Sequence, residues 1–302
     1  MKKITALLLS LSVILSVSLC GCNNDNPDPE QTTELITQPE PTPFPIIIND
    51  VEIKDKPEKV VCLSPALAEI MYEMGYSDLL VGRSSYCDYP PQITAIKEVG
   101  GTTKPDIDAI IQLQPDLVLS SAPIASKDIF NMQQSGIATV VIPAPTTLDG
   151  FSSIYKAMGL IFEGMFTGTE KGESIYADIS QALGNTDNLN VGKFVYITEN
   201  MTAAGGNTFE SAILSCFGTN LAAQAEDYAF DLEYLTENQP DVIFVNSIYK
   251  KEDLEANEIF AELEALANDK IVFIDNSYLE RPTRRIIELT DKIKASANYT
   301  VS

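Results

Sequence analysis

Histidine is absent from the 302 residues, and so is tryptophan. Without an imidazole the chain cannot assemble a Ser-His-Asp or Cys-His catalytic set, an HExxH metal site or any histidine-ligated centre. A zinc or manganese receptor of the His-rich kind is excluded with them. Positive charge is scarce as well: 20 Lys and Arg stand against 43 Asp and Glu, a formal charge of −23. Such a surface repels nucleic acid and anionic lipid, so neither is expected as a partner. Cysteine is sparse, at five residues. With Cys20 and Cys22 assigned to a leader (below), Cys62, Cys87 and Cys216 remain, and an odd number does not close a disulfide framework. Cys62, in "KVVCLS", reads as a small buried hydrophobe. Cys87 and Cys216 read as thiols, with a pairing of the two as the alternative.

Long apolar runs are confined to the start. "MKKITALLLSLSVILSVSLCGC" has two lysines, an apolar stretch and then small residues, which is an export signal over residues 1–21. "LCGC" has the form of a bacterial lipobox, with Cys22 as the residue to be acylated, because Cys20 follows Leu19 where cleavage requires a small residue. The apolar run ends at the cleavage point and leaves no spanning helix behind it. Residues 22–50 are polar and proline-rich at first and read as an extended tether. The expected product is exported and held by lipid at the outer face of the cell membrane.

The remainder is a folded body, with 45% hydrophobic and 8% aromatic residues in the whole chain. Two stretches echo each other: "DIDAIIQLQPDLVLSS" from Asp106 and "DLEYLTENQPDVIFVNS" from Asp231. In each, an acidic pair precedes a helical run, Gln-Pro-Asp and an apolar strand. Residues 51–150 alternate strand and helix: "VVCL", a helix stopped by Gly75, "LLVGRSS", a helix capped by Asp106, "DLVLSS", "SKDIFNMQQSG" and "IATVVIP". The strands then stop over residues 151–190, where apolar residues recur at three- and four-residue spacing on either side of "TGT". Alternation resumes over residues 191–302 with "KFVYIT", "TFESAILSCFG", the second echo, a helix over "EIFAELEAL", "KIVFID" and a closing helix from "TRRIIEL". The expectation is an α/β fold of two lobes with mainly parallel sheets, joined by a helical span.

Several segments together resemble the solute-binding lipoproteins of ABC importers for iron complexes and cobalamin. They are "VVCLSPALAEIMYEMG", "VGRSSYCDYPP", "IDAIIQLQPDLVLSS", "GNTFESAILSCFGTNLA", "LEYLTENQPDVIFV" and "ERPTRRIIELTDKI". "SSYCDYPP" is most similar to the cobalamin-binding branch. The resemblance implies the class III periplasmic-binding-protein fold, two rigid lobes on a long backbone helix. It implies a monomer that delivers a metal chelate, a corrinoid, haem or ferric siderophore, to an ABC permease dimer, with no cofactor and no metal site of its own. It implies docking onto permease arginines through Asp108 and Glu233, where bidentate carboxylate–guanidinium pairs at two separated points would fix orientation. Asp108 stands where the family usually has Glu. An acid in a first helical turn also suits the helix dipole without any partner. The ligand is expected in the interlobe cleft, against Tyr86, Tyr89, Tyr228, Phe230, Tyr278 and Arg281, whose aromatic faces suit a flat chelate. Thr102 and Ser121 fall where cobalamin receptors of this family often carry tryptophan.

Two other classes are weighed. An exported hydrolase would need a carboxylate pair or a Ser-Lys dyad, and neither a Gly-x-Ser-x-Gly elbow nor a glycine-rich phosphate loop is present. No catalytic residue is therefore expected. A sensor or scaffold lipoprotein would keep the cleft without needing both Asp108 and Glu233 exposed.

Overall fold

Alternating isoleucines begin the fold. In the computed structural model, which describes residues 41–185 and 189–297, Ile46–Ile48 (β1) and Val51–Ile53 (β2) pair as an antiparallel hairpin. Asn49 and Asp50 both take positive φ at its tip, the geometry of a tight turn matched to strand twist. Phe44, Ile46 and Ile48 are buried while Ile47 is exposed. The expectation of a tether reaching residue 50 therefore fails over residues 46–50, because a period-two apolar pattern sits just behind the prolines. The expected signal segment over residues 1–21, Cys22 and residues 23–40 lie outside the described residues. The chain divides at Thr42, where a compact unit begins.

The N-terminal lobe is a parallel sheet in the order β4-β3-β5-β6, from Val60–Cys62 (β3), Leu80–Arg83 (β4), Leu117–Ser120 (β5) and Ala138–Val141 (β6). Pro65–Met74 (α1) starts at Ser64, whose hydroxyl accepts from the Leu67 amide, and stops at Gly75 in the left-handed region. Ile107–Leu113 (α2) is capped by Asp106, which accepts from the Ala109 amide at 3.0 Å. Ser126–Gln134 (α3) follows β5.

The C-terminal lobe repeats the plan as β10-β9-β7-β8, also parallel, from Lys193–Ile197 (β7), Thr219–Asn220 (β8), Val242–Asn246 (β9) and Ile271–Ile274 (β10). Its helices are shorter: Phe209–Leu214 (α5), Tyr234–Glu237 (α6), Lys251–Glu255 (α7), Glu264–Ala267 (α8) and Ser277–Glu280 (α9), before the closing helix Arg285–Ala297 (α10). "EIFAELEAL" forms a 3-10 turn and then α8 instead of one helix.

The echo has a structural meaning. Asp116 accepts from the Glu58 and Lys59 amides at 2.7 and 2.9 Å, pinning the chain as it enters β3. Asp241 accepts from the Lys193 amide at 2.7 Å and does the same for β7. In each lobe the Pro-Asp closes a helix and fastens the neighbouring parallel strand.

Between the lobes lies one helical element, Leu148–Gly184 (α4), broken at Gly164, whose φ of 72° and ψ of −172° are not helical. A straight helix would separate Leu148 and Tyr176 by about 42 Å. Instead the Tyr176 hydroxyl donates to the Leu148 carbonyl at 3.2 Å, and Lys156 pairs with Glu173 at 2.9 Å. The element is thus folded back on itself. Glycine makes the approach possible: a Cβ on Gly159 would lie 2.0 Å from the Gly168 carbonyl oxygen, and one on Gly172 2.3 Å from that of Tyr155.

One apolar cluster runs from Val60 and Ile70 through Phe151, Tyr155 and Phe162 of α4 to Phe194 and Phe244. Each sheet thus packs one face toward the shared bridge. The opposite faces are covered separately, by Ile110 and Met132 in the first lobe and Leu235 and Leu254 in the second.

Candidate functional site

In open parallel sheets ligands collect at the carboxyl ends of the strands, and there the lobes face each other across two adjoining cavities. The first, about 230 Å³, is lined by Ser64 after β3, Tyr86 after β4, Ser121 after β5, Ile142–Ala144 after β6, Thr102, and Glu280–Pro282 of the C-terminal lobe. The second, about 300 Å³, shares Ala144, Glu280 and Pro282 and continues past Asn207–Glu210, Asp227 and Tyr228.

The two walls differ chemically. The first-lobe wall offers neutral hydroxyls. The Ser84 hydroxyl, just beneath it, accepts from the Tyr86 amide at 3.1 Å and lies 3.5 Å from the Thr102 hydroxyl. The second-lobe wall offers carboxylates. Glu210 accepts from the Tyr228 hydroxyl at 3.0 Å, and Glu280 accepts from Asn276. Burial, together with the nearby charge of Glu199, pushes the Glu280 carboxyl up.

Beside the first cavity a set of ion pairs joins the lobes. Arg281 donates to Glu69 of α1 at 3.1 Å and to Asp88 at 2.6 Å. Thr283 donates to the other Glu69 oxygen at 3.2 Å, and Arg285 stands 3.8 Å from Glu69. The Glu69 side chain is only 2% exposed, so its charge depends on those partners. Burial raises its pKa, opposed by Arg281 and Arg285. The hydrogen bond from Arg281 holds Asp88 below its ordinary value. One turn along α1, Glu73 accepts from the Tyr155 hydroxyl at 2.5 Å and the Arg284 amide at 2.9 Å. Burial pushes it up to about 7.

The residues singled out from sequence fall in different places. Tyr86, 63% exposed, lines the first cavity, and Tyr228, 45% exposed, lines the second. Arg281 lines the first cavity but is already committed to two carboxylates. Tyr89 lies beneath the Arg285 guanidinium, 4.6 Å from its ring centre, and is in neither lining. Tyr278 is 6% exposed, donates to Glu288 at 3.1 Å and stacks under Arg285 and Lys292, so it serves the core. Phe230 packs against the outer cluster of its own lobe and edge-on to Tyr234, because the loop before α6 turns it away from the cleft. Thr102 and Ser121 do line the first cavity. Asp108 and Glu233 are both exposed, at the starts of α2 and α6.

Sequence reasoning missed Glu210, Glu280 and the Glu69–Glu73 pair. For the last a signal existed, since two acids four apart sit among Leu67, Ile70, Met71 and Met74, an apolar face where an unpaired charge is costly. Cys62 and Cys87 are buried thiols in the first lobe, and Cys216 lies in the second, its Sγ donating to the Ala212 carbonyl. Among the described residues no helix is long and apolar enough to cross a membrane.

The periplasmic binding protein family matches residues 60–278. A cobalamin-binding protein of Halobacterium salinarum is 26% identical over 255 residues, 79% of this chain and 69% of that one. An uncharacterized ABC transporter substrate-binding lipoprotein of Bacillus subtilis is 27% identical, covering 84% and 85%. The crystal structure of a periplasmic vitamin B12 binding protein of Vibrio cholerae superposes with a TM-score of 0.61 at 24% identity, over 81% of this chain and 96% of that one. A periplasmic heme binding protein of the same organism gives 0.69 at 18%, over 78% and 97%. These structures share the fold.

Proposed function

The chain belongs to the periplasmic binding protein family, and on that premise we propose that its interlobe cleft captures a metal chelate, a corrinoid or related complex, for an ABC importer. The family is one of binding proteins rather than enzymes, and the two lobes on a helical bridge are its class III arrangement. The observation that carries the proposal is the pair of adjoining cavities at the carboxyl ends of both sheets, with a well-exposed tyrosine from each lobe, Tyr86 and Tyr228, beside them. A flat ligand spanning both would cross their shared edge at Ala144, Glu280 and Pro282 and meet one aromatic face from each side. The relatives named for cobalamin and vitamin B12 support this ligand class.

Capture needs no bond-making. The continuous core through α4 and the ion pairs of Arg281 hold the lobes close to one arrangement, so closure is a small hinge motion and part of the ordering cost of binding is already met. Delivery would use Asp108 and Glu233, one carboxylate per lobe, Asp108 in the first turn of α2 and Glu233 just before the first turn of α6. Acylation of Cys22 would keep the body beside the permease, as the lipoprotein relative suggests.

Titration with cyanocobalamin, haemin and ferric siderophores, followed by tyrosine fluorescence, tests capture: at least one binds at micromolar levels or below, and silence from all of them ends the proposal. Charge reversal tests delivery separately. Asp108→Lys and Glu233→Lys are each expected to lower uptake at least tenfold in cells carrying the permease, while solution affinity changes less than twofold. Loss of solution binding instead removes the docking role.

A further inference from the structure

The cleft described above carries charge on one wall only. Among the described residues lining the two cavities, Arg281 is the one cation, and it is shared between Glu69 and Asp88. Glu210, Asp227 and Glu280 line the second cavity without any cation among that cavity's lining residues. Glu199 stands behind them, within reach of Asn246 and Asn276 at 3.5 Å each. The other cations nearby are engaged elsewhere: Arg83 under Glu98, Arg284 on Asp178, Arg285 on Tyr89, Tyr278 and Ser277.

Ionised carboxylates only accept hydrogen bonds, and each oxygen has room for more than one donor. Tyr228 supplies one donor to Glu210 and Asn276 one to Glu280, which leaves acceptor sites on both. A ligand rim placed against this wall must therefore bring N–H or O–H groups. A rim of carboxylates meets like charge in a partly desolvated cleft and leaves those acceptors unfilled. The first-lobe wall of Ser64, Thr102 and Ser121 hydroxyls can donate or accept and sets no such condition.

We propose that Glu210 and Glu280 form a charge filter that admits uncharged or cationic chelates rimmed with amide or hydroxyl donors and rejects those carrying carboxylates. The inference rests on the chelate-capture reading and deepens it: within the candidate ligands it selects the amide-rimmed corrinoid class over haem and over anionic ferric siderophores. Both glutamates determine specificity by touching the ligand rim, whereas Arg281 is held in place as part of the interlobe pairing.

The probes are cyanocobalamin, its monocarboxylic acids, in which one peripheral amide is hydrolysed to a carboxylate, and haemin. Wild-type protein is expected to bind cyanocobalamin at least tenfold more tightly than the weakest-binding acid isomer and than haemin, with the gap narrowing as salt is raised. The isosteric double variant Glu210→Gln/Glu280→Gln should shrink that gap to threefold or less and bring haemin affinity up about tenfold. Circular dichroism and the melting temperature of the variant confirm that it is folded, and the single variants divide the effect if the double is destabilised. All acid isomers within twofold of the parent, haemin bound as well as cyanocobalamin, or a gap unchanged in the variant would each overturn the filter while leaving capture intact. Wild-type protein that binds none of these probes, nor any ferric siderophore, sinks capture and the filter together.

Discussion

In the N-terminal lobe the carboxyl ends of the strands present Ser64 and Ser121 to the cleft; in the C-terminal lobe the facing surface presents Glu210, Asp227 and Glu280. At the amino ends the lobes agree instead. Asp116 fastens the start of β3 as Asp241 fastens the start of β7, each from the Pro-Asp that ends a helix. The likeness lies where the strands are fastened, and the divergence lies at the cavities between the lobes. A repeated sequence unit in this molecule therefore reports construction, and what distinguishes one wall from the other must be read from residues the repeat does not include.

The contact between the lobes is the first place to break this picture. Glu69 is the first-lobe carboxylate on which Arg281, Thr283 and Arg285 of the second lobe converge. Glu69→Ala leaves those donors without their buried partner and is expected to cost about 3–5 kcal/mol in urea unfolding. Asp88→Ala, which removes the exposed partner of the same Arg281, should cost less than about 1 kcal/mol. Equal losses would mean that the lobes are not joined through Glu69.

A smaller effect depends on pH. The folded-state pKa of Glu73, about 7, lies above its ordinary value of 4.5, so the native form holds this proton more tightly than the unfolded chain. Its contribution is fully present below about pH 4.5 and is lost as pH rises toward 7, by up to about 3 kcal/mol. Glu73→Gln should flatten that decline, seen as a difference between variant and wild-type unfolding free energies at pH 4.5, 5.5 and 7.5. A parallel pair of curves would show that Tyr155 and the Arg284 amide satisfy an ordinary carboxylate.

The smallest effect sharpens the likeness between the lobes. Asp116→Ala and Asp241→Ala are each expected to cost about 1 kcal/mol, because both carboxylates are exposed. Asp116 should cost the more, since it holds two amides against one. Amide exchange should speed up first at the start of β3 in one variant and of β7 in the other. Faster exchange in the same strand in both would dissolve the equivalence.

Much of the fold was legible because its signals are local. "VVCL", "DLVLSS" and "DVIFV" are short apolar runs with punctuation at their ends, and Ser64, Gly75 and Asp106 cap as their types suggest. The reversal within α4 was not, since three- and four-residue periodicity is the same on a straight helix and on one folded in half. Only the row of Gly159, Gly164, Gly168 and Gly172 hinted at it. In the cleft, Tyr86, Tyr228 and Arg281 were placed by their loops. The partner of Arg281 was out of reach, because Glu69 is 212 positions away and looks like one more helix-surface acid. Tyr278 and Phe230 misled because adjacency to a loop does not fix which way a ring turns.

The bend at Gly164 lies against the first residues of the folded body: the Pro43 carbonyl accepts from the Met165 amide at 3.0 Å, and a Cβ on Gly164 would come 2.4 Å from that same oxygen. The start of the folded unit is thus fastened at the bend of α4, and neither Pro43 nor Met165 lines either cavity. Load applied at Thr42 is therefore passed to α4 and to the hairpin beside it before it reaches any residue that lines the two cavities.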